Sequence, residues 1–364
     1  MALTGHPDDT PLTPPGRAAS VARELGELFD VDGAALLGER AASTGRGRAG
    51  RVSVGGSCRL LPLASGWAAV SCARAGDVAL LGALVEDTLP DADPWGTFAA
   101  AVRVMGPDTF DERATLLGLP AGSVRAEPLA GPAVDGPPHD LTGRLVVSFG
   151  ALWAAPLCAQ LLARRGAMVV TVETPARPDG ARRGTPRFHA LLHAHDRAVQ
   201  LDPDTHRDAL HALVRAADVV IEASRPRALR AWGLDADAEV ARGATWISIT
   251  AAGRSSDRVG FGDDVAASAG LVAVDADGLP VFVGDAIADP LTGLTAAALA
   301  LTAPGRLHDV AMSRVVAATL DGTPGGPATG PVAPPRTRPV PGPAPAPGAD
   351  TAAVMHELGI PWPS

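Results

Sequence analysis

From residue 144 to residue 250 the chain repeats one arrangement, a short run of β-branched and apolar residues followed by a stretch with helical spacing. The runs are "RLVVSF" (144–149), "AMVVTVE" (167–173), "DVVIEA" (218–223) and "ATWISIT" (244–250). Between them lie "PLCAQLLARRG" (156–166), "HRDALHALVRAA" (206–217) and "RPRALRAWG" (225–233). The runs are apolar throughout rather than alternating, so each predicted strand is buried on both faces, and an intervening helix returns the chain to begin the next strand in the same direction. The pattern predicts an α/β fold: a Rossmann-like doubly wound parallel sheet domain over 144–322. Its first turn, "SFGALWAAP", holds Gly150 alone where a dinucleotide fingerprint needs three glycines, which argues against NAD and FAD.

The flanking segments read differently. Residues 1–16 carry turn formers without periodicity and are expected to form a disordered lead. Residues 17–44 space their apolar side chains as one or two amphipathic helices do, and "RVSVGGSCRLLPLASGWAAVSCA" (51–73) alternates like a hairpin or small sheet. With further helical patterns near 76–87, 94–104 and 110–120, this makes a smaller N-terminal α+β domain over 17–125, followed by a Pro/Gly-rich linker at 126–143. After a helix near 290–302, a second Pro/Gly-rich linker spans 323–349, and a short helix within 350–364 is expected to dock on the large domain.

Composition removes whole classes of chemistry. The sequence has no lysine and no tyrosine, so Schiff-base, Walker-A and tyrosine acid/base mechanisms are excluded. A formal net charge of −9 gives no global attraction to nucleic acid or an anionic membrane. Three scattered cysteines without a CxxC pair fit a cytoplasmic location, and no apolar run is long enough to span a membrane.

Two aspartates stand in the small-residue apolar run "VFVGDAIADPLTG" (281–293). Asp289, ahead of Pro290 and a helical pattern, reads first as an N-cap worth about 1 kcal/mol. The same position suits a nucleophile, because the helix dipole favours the ionised carboxylate. Asp285 reads as a turn or surface carboxylate. Asp263 and Asp264 in "FGDDVAAS" (261–268) form a second acidic pair whose first reading is also capping. After Glu173, "VETPARPDGARRGTPR" (172–187) gathers Arg177, Arg182, Arg183 and Arg187 at the end of a parallel strand. That is where a phosphate-bearing ligand would lie, although a solvated loop explains the run equally.

In order, "VVSFGALWAAPLCAQLLARRGAMVVTVETPARPDGARR", "DRAVQLD", "ADVVIEASRPRALRAWGL", "ATWISITAAG", "GFGDDVAASAGL" and "VFVGDAIADPLTGL" resemble the class III CoA-transferases, the CaiB/BaiF family. That group includes formyl-CoA and carnitine CoA-transferases and α-methylacyl-CoA racemase. The resemblance covers about 140–322, and the C-terminal tail looks like the family's end. It implies that Asp289 is the catalytic carboxylate and that Arg182 helps bind CoA phosphates. Arg197 and Arg225 fall on basic positions of similar segments, and Trp153 falls in the CoA-binding first turn at a position often polar in transferases. Gly55, Gly56 and Ser57 resemble the glycine-rich loop that closes over the site and could offer N–H groups to an oxyanion, a plain turn being the alternative. The smaller domain ordinarily follows the nucleotide-binding part, so its leading position here suggests a domain-swapped or circularly permuted relative.

The implied activity is transfer of CoA from an acyl-CoA to a carboxylic acid through an aspartyl anhydride and an aspartyl-CoA thioester, with coenzyme A as substrate, no permanent cofactor and no metal. A homodimer is the implied assembly, with a heteromer containing a homologous subunit as the alternative. The chain also departs from the pattern: Asp263 stands where the racemase branch has histidine, Ala155 replaces a glycine before Pro156, and Asp196 replaces a basic residue. Two other functions therefore stay open, a racemase- or dehydratase-like enzyme using Asp289 with Asp263, and a weakly catalytic CoA-binding subunit.

Overall fold

The computed structural model describes residues 2–127, 129–224 and 226–362. Six parallel strands form the central sheet, in the spatial order Leu307–Ala311, Thr245–Thr250, Val219–Glu222, Leu145–Phe149, Met168–Glu173 and Arg197–Gln200. By chain position this is 6-5-4-1-2-3, the doubly wound order expected from the alternation. The order reverses between Leu145–Phe149 and Val219–Glu222, where Val147 lies beside Val220. In doubly wound sheets, ligands bind beyond the carboxyl ends of the two strands at such a reversal. The edge strands Arg197–Gln200 and Leu307–Ala311 were not marked by apolar runs, since each is buried at only some of its positions.

Two helices on one face of the sheet set the site's floor. Ala154–Arg164 buries every residue from Ala154 to Leu162, and Ala288–Thr302 buries all but Asp289. They approach closely because Gly293 faces the first helix: a Cβ there would lie 2.7 Å from the Ala154 carbonyl and 3.0 Å from Leu157 Cβ. The apolar character of 281–302 therefore serves helix-on-helix packing, in which each fully buried leucine contributes about 1.5–3 kcal/mol.

The smaller antiparallel sheet consists of Cys58–Pro62, Trp67–Ser71 and Ala121–Ser123. Helices Asp77–Val85, Pro94–Val102 and Pro107–Leu117 cover one face, enclosing Leu81, Leu84, Phe98 and Phe110. Its other face packs Cys58, Leu60 and Ala69 against Ala267 and Phe282. The short helix Gly262–Ser268 is thereby pressed between the small sheet and the helices Ala288–Thr302 and Met312–Ala317, carrying Asp263 and Asp264 with it.

The lead is ordered, contrary to expectation. Leu3 and Thr4 are buried, and Leu12–Thr13 pairs with Gly326–Pro327. Arg48 adds to this hold, its guanidinium donating to the carbonyls of Ala2, His6, Pro7 and Asp9 at 2.6–3.1 Å. The Pro-rich run is similarly held: Arg338 donates to both oxygens of Glu39 and to Gln160. Beyond it, Thr351–Glu357 forms a helix whose Val354 and Met355 enter the core beside Val199 and Leu213. Among the described residues, no helix is long and apolar enough to cross a membrane.

Candidate active site

Between the strand Pro280–Phe282 and the helix Ala288–Thr302 the chain turns sharply, with Gly284 at φ +70° and Ala286 at φ +44°. A non-glycine residue in that region costs about 1–2 kcal/mol, and the Asp263 carboxylate offsets it by accepting the Ala286 N–H at 2.8 Å. The turn gives the two aspartates of this segment different surroundings.

Asp285 is not a surface residue: it is 1% exposed and clamped by Arg40, whose Nε lies 3.1 Å from both carboxylate oxygens and whose Nη2 adds a further bond. Arg40 comes from the helix Glu39–Thr44, lies 3.8 Å from Asp263 and stacks over the Trp153 ring at 5.4 Å. Burial opposes its charge, but Asp285, then Asp263 and Asp289, outweigh burial and hold the guanidinium more firmly protonated than an ordinary arginine.

Asp289 is not an N-cap. The cap position is Ile287, and Asp289 stands in the first helical turn with its carboxylate lining a cavity of about 150 Å³. Leu152 from the first turn, Ser224 and Thr250 from strand ends, Arg258 and Met312 line the same cavity, which places it at the switch point of the sheet. Burial pushes the Asp289 carboxyl up to about 7, with Asp263, Asp264 and Asp285 adding to the rise and Arg40 opposing it. Gly262 backs onto it so closely that a Cβ would run into Asp289 Oδ2 and the Ala286 carbonyl.

The other two carboxylates have internal partners. Asp264 accepts from the Phe261 amide at 2.9 Å and from the Ser71 hydroxyl at 2.8 Å, joining helix start to small sheet as well as capping; burial raises it to about 6. Asp263 is also raised, by burial and by Asp285, against the pull of Arg40. Gly55 lies beside this pair: a Cβ there would be 3.0 Å from Arg40 Nη2 and 3.6 Å from Asp263 Oδ2. The Gly56 N–H is committed within the turn, donating to the Ser53 carbonyl at 2.8 Å, and Ser57 leads into the small sheet. The loop thus adjoins the carboxylates without aiming that amide at a ligand.

The structure does not bring the expected CoA-binding residues to the cavity. Arg182 donates to Glu173 at 2.8 and 3.1 Å and to the Pro345 carbonyl at 3.0 Å, so its fork is taken up internally. Arg197 pairs with Glu357 and fastens the C-terminal helix. Trp153 is 2% exposed and packs edge-on against Phe188 at 5.1 Å. Arg225 lies outside the described residues. Sequence reasoning missed Arg40 and Arg258. Arg40 is 245 positions from Asp285 and carries no local motif, though a carboxylate set in an apolar run is itself a signal that a distant cation must meet it.

The family model described as CoA-transferase family III matches residues 141–334, more than half of the chain and the segment that carries all four carboxylates. The chain belongs to CoA-transferase family III. It is similar to a succinyl-CoA–D-citramalate CoA-transferase of Chloroflexus aurantiacus, 32% identical over 183 residues, covering 46% of each protein. It is also similar to a succinate–glutarate CoA-transferase of Agrobacterium fabrum, 31% identical over 176 residues, covering 42% of this chain and 44% of that one. The chain spans less than half the length of these curated relatives. Among solved structures, a CaiB/BaiF family protein from Brucella suis is 27% identical with a TM-score of 0.46, covering 51% of this chain and 56% of that one.

Proposed function

We propose that the chain transfers CoA between an acyl-CoA and a carboxylic acid, with Asp289 as the nucleophile. The observation that carries this reading is that, of four clustered aspartates, Asp289 is the one that opens on the switch-point cavity. A carboxylate raised to about 7 is half ionised near neutral pH and more basic than a solvated one, which suits attack on a thioester.

In this mechanism Asp289 Oδ attacks the acyl carbonyl, giving a mixed anhydride and the CoA thiolate. The thiolate attacks the aspartyl carbonyl, expelling the first acid and leaving an aspartyl-CoA thioester. The acceptor carboxylate attacks that thioester, forming a second anhydride and again the thiolate, which takes the new acyl group and frees Asp289. One thioester replaces another, so the site's task is to hold anhydride and thiolate together away from water. Among the described lining residues Arg258 is the cation nearest to hand for an incoming carboxylate, although its Nη2 already donates to the Ser268 hydroxyl.

At about 150 Å³ the cavity is smaller than the roughly 300–1,000 Å³ of a drug-sized site, which favours short acyl groups. The names of the similar transferases point to dicarboxylic acids. Asp263 and Asp264 are engaged by Ala286, Phe261 and Ser71, which favours transfer over a two-base racemisation. The test is to incubate the purified chain with succinyl-CoA and a panel of short mono- and dicarboxylic acids and follow new CoA thioesters by mass spectrometry. Exchange that disappears in Asp289→Ala is expected; exchange that survives that substitution contradicts the reading.

A further inference from the structure

A second polar cluster lies outside the Asp289 cavity and has no part in the mechanism above. The helix Pro186–His193 presents His189 and His193, four residues apart and therefore on one face, with their rings stacked at 4.5 Å and 28°. Asp179, from the loop after the strand Met168–Glu173, faces them. All three residues are more than nine-tenths buried, and His189 Nε2, His193 Nε2 and Asp179 Oδ2 have no hydrogen-bond partner among the described residues. Three buried polar atoms left unsatisfied at one point would each cost about 1–3 kcal/mol, so a shared partner is called for.

We propose that Asp179, His189 and His193 form a binding site for a first-row divalent cation of the Zn2+ class. One potential donor atom from each of the three side chains lies within 4.8 Å of the other two. Asp179 Oδ2 and His193 Nε2 are 3.6 Å apart, long for a hydrogen bond but near the edge of about 3.3–3.4 Å for a tetrahedron with bonds of about 2.0–2.1 Å. Two imidazoles and a carboxylate are a donor set suited to Zn2+ and its neighbours rather than to Mg2+ or Ca2+.

The surroundings are those of a ligand set already oriented. His193 Nδ1 is 2.8 Å from Asp196 Oδ2, which also accepts from the Thr171 hydroxyl at 2.7 Å. A carboxylate on the far nitrogen fixes the tautomer that leaves Nε2 free to ligate. Asp179 Oδ1 meanwhile accepts the Leu152 N–H at 3.0 Å and the Ala181 N–H at 2.9 Å, leaving Oδ2 for the cation. Entry is available beside His189, which lines a cavity of about 480 Å³ with Arg182, Val340 and Pro343. A protonated His193 bridging Asp179 and Asp196 accounts for two of these groups but gives His189 Nε2 nothing to bind. Because Leu152 also lines the Asp289 cavity, the cation would fix the first turn of the large sheet, a structural role separate from acyl transfer.

The test uses the tag-free full chain, stripped with chelator and titrated first with Co2+, read by its visible ligand-field bands, and then with Zn2+ as competitor. One Co2+ per chain, displaced by Zn2+, is expected. His189→Ala removes a nitrogen with no hydrogen-bond partner among the described residues, so the protein should stay folded by circular dichroism while its affinity for Zn2+ drops by more than the roughly 10- to 100-fold expected for loss of an outer partner. Asp196→Asn, which loosens the hold on His193 while keeping an acceptor for the Thr171 hydroxyl, should weaken binding about 10- to 100-fold. Absence of stoichiometric Co2+ uptake by the unmodified chain, or uptake unchanged in His189→Ala, overturns the proposal.

Discussion

Asp285 and Asp289 are four residues apart on one turn, yet the fold uses them oppositely. Asp285 is sealed in and bound by Arg40, while Asp289 has no comparable clamp among the described residues and opens on the switch-point cavity. The difference teaches what a buried charge is for. A carboxylate held by a guanidinium fork is quenched and structural, whereas one raised toward neutral pH by burial keeps reactivity in reserve.

If that contrast is right, substitutions at the two positions separate chemistry from stability. Asp289→Ala should lower CoA transfer by roughly four orders of magnitude or more, measured as initial rates with succinyl-CoA, while the urea midpoint stays level or rises. Asp285→Ala should do the reverse, leaving transfer measurable while lowering unfolding free energy by about 3 kcal/mol in urea titration. That is the lower end for a broken buried pair, because Arg40 retains Asp263 at 3.8 Å.

A smaller change sharpens the contrast from behind the nucleophile. Gly262→Ala places a methyl group against Asp289 Oδ2 and the Ala286 carbonyl. Displacing the carboxylate by a fraction of an ångström should cost kcat roughly 100-fold, with a loss of stability of about 1–3 kcal/mol. Equal rates in wild type and Gly262→Ala would mean that Asp289 is not held where the account requires.

The smallest effect is on pH dependence. The folded protein holds the Asp289 proton up to about 7, whereas the unfolded chain loses it near 3.8, the ordinary value for an aspartate. Between those values the folded state binds more protons, so this group makes stability fall as pH rises, with the full loss present above 7. Asp289→Asn should therefore gain stability over wild type as pH rises from 4 to 8, and the gain should vanish below pH 4. The transfer rate should rise with pH through about 7, as the nucleophile ionises.

The sequence disclosed the large sheet because uninterrupted apolar runs such as "AMVVTVE" have few alternatives to a doubly covered parallel strand. It disclosed less of the edges, where Arg197–Gln200 mixes polar and apolar residues, and it misjudged the lead, whose order depends on distant partners, among them Arg48 and the strand Gly326–Pro327. The candidate site was half legible. The four aspartates stood out as polar residues in apolar surroundings, but their division into clamped and open depends on Arg40, and the cavity wall on Arg258. The cluster of Asp179, His189 and His193 stayed hidden because an arginine-rich loop drew attention to phosphate binding while the loop's aspartate turned inward.

The most direct measurement is capture of the enzyme-bound intermediate. The chain should be mixed with succinyl-CoA, quenched with borohydride or hydroxylamine, digested, and the peptide containing residue 289 weighed. The account predicts a mass change confined to Asp289 and absent without the thioester; a modification on another carboxylate, with Asp289 untouched, would contradict it.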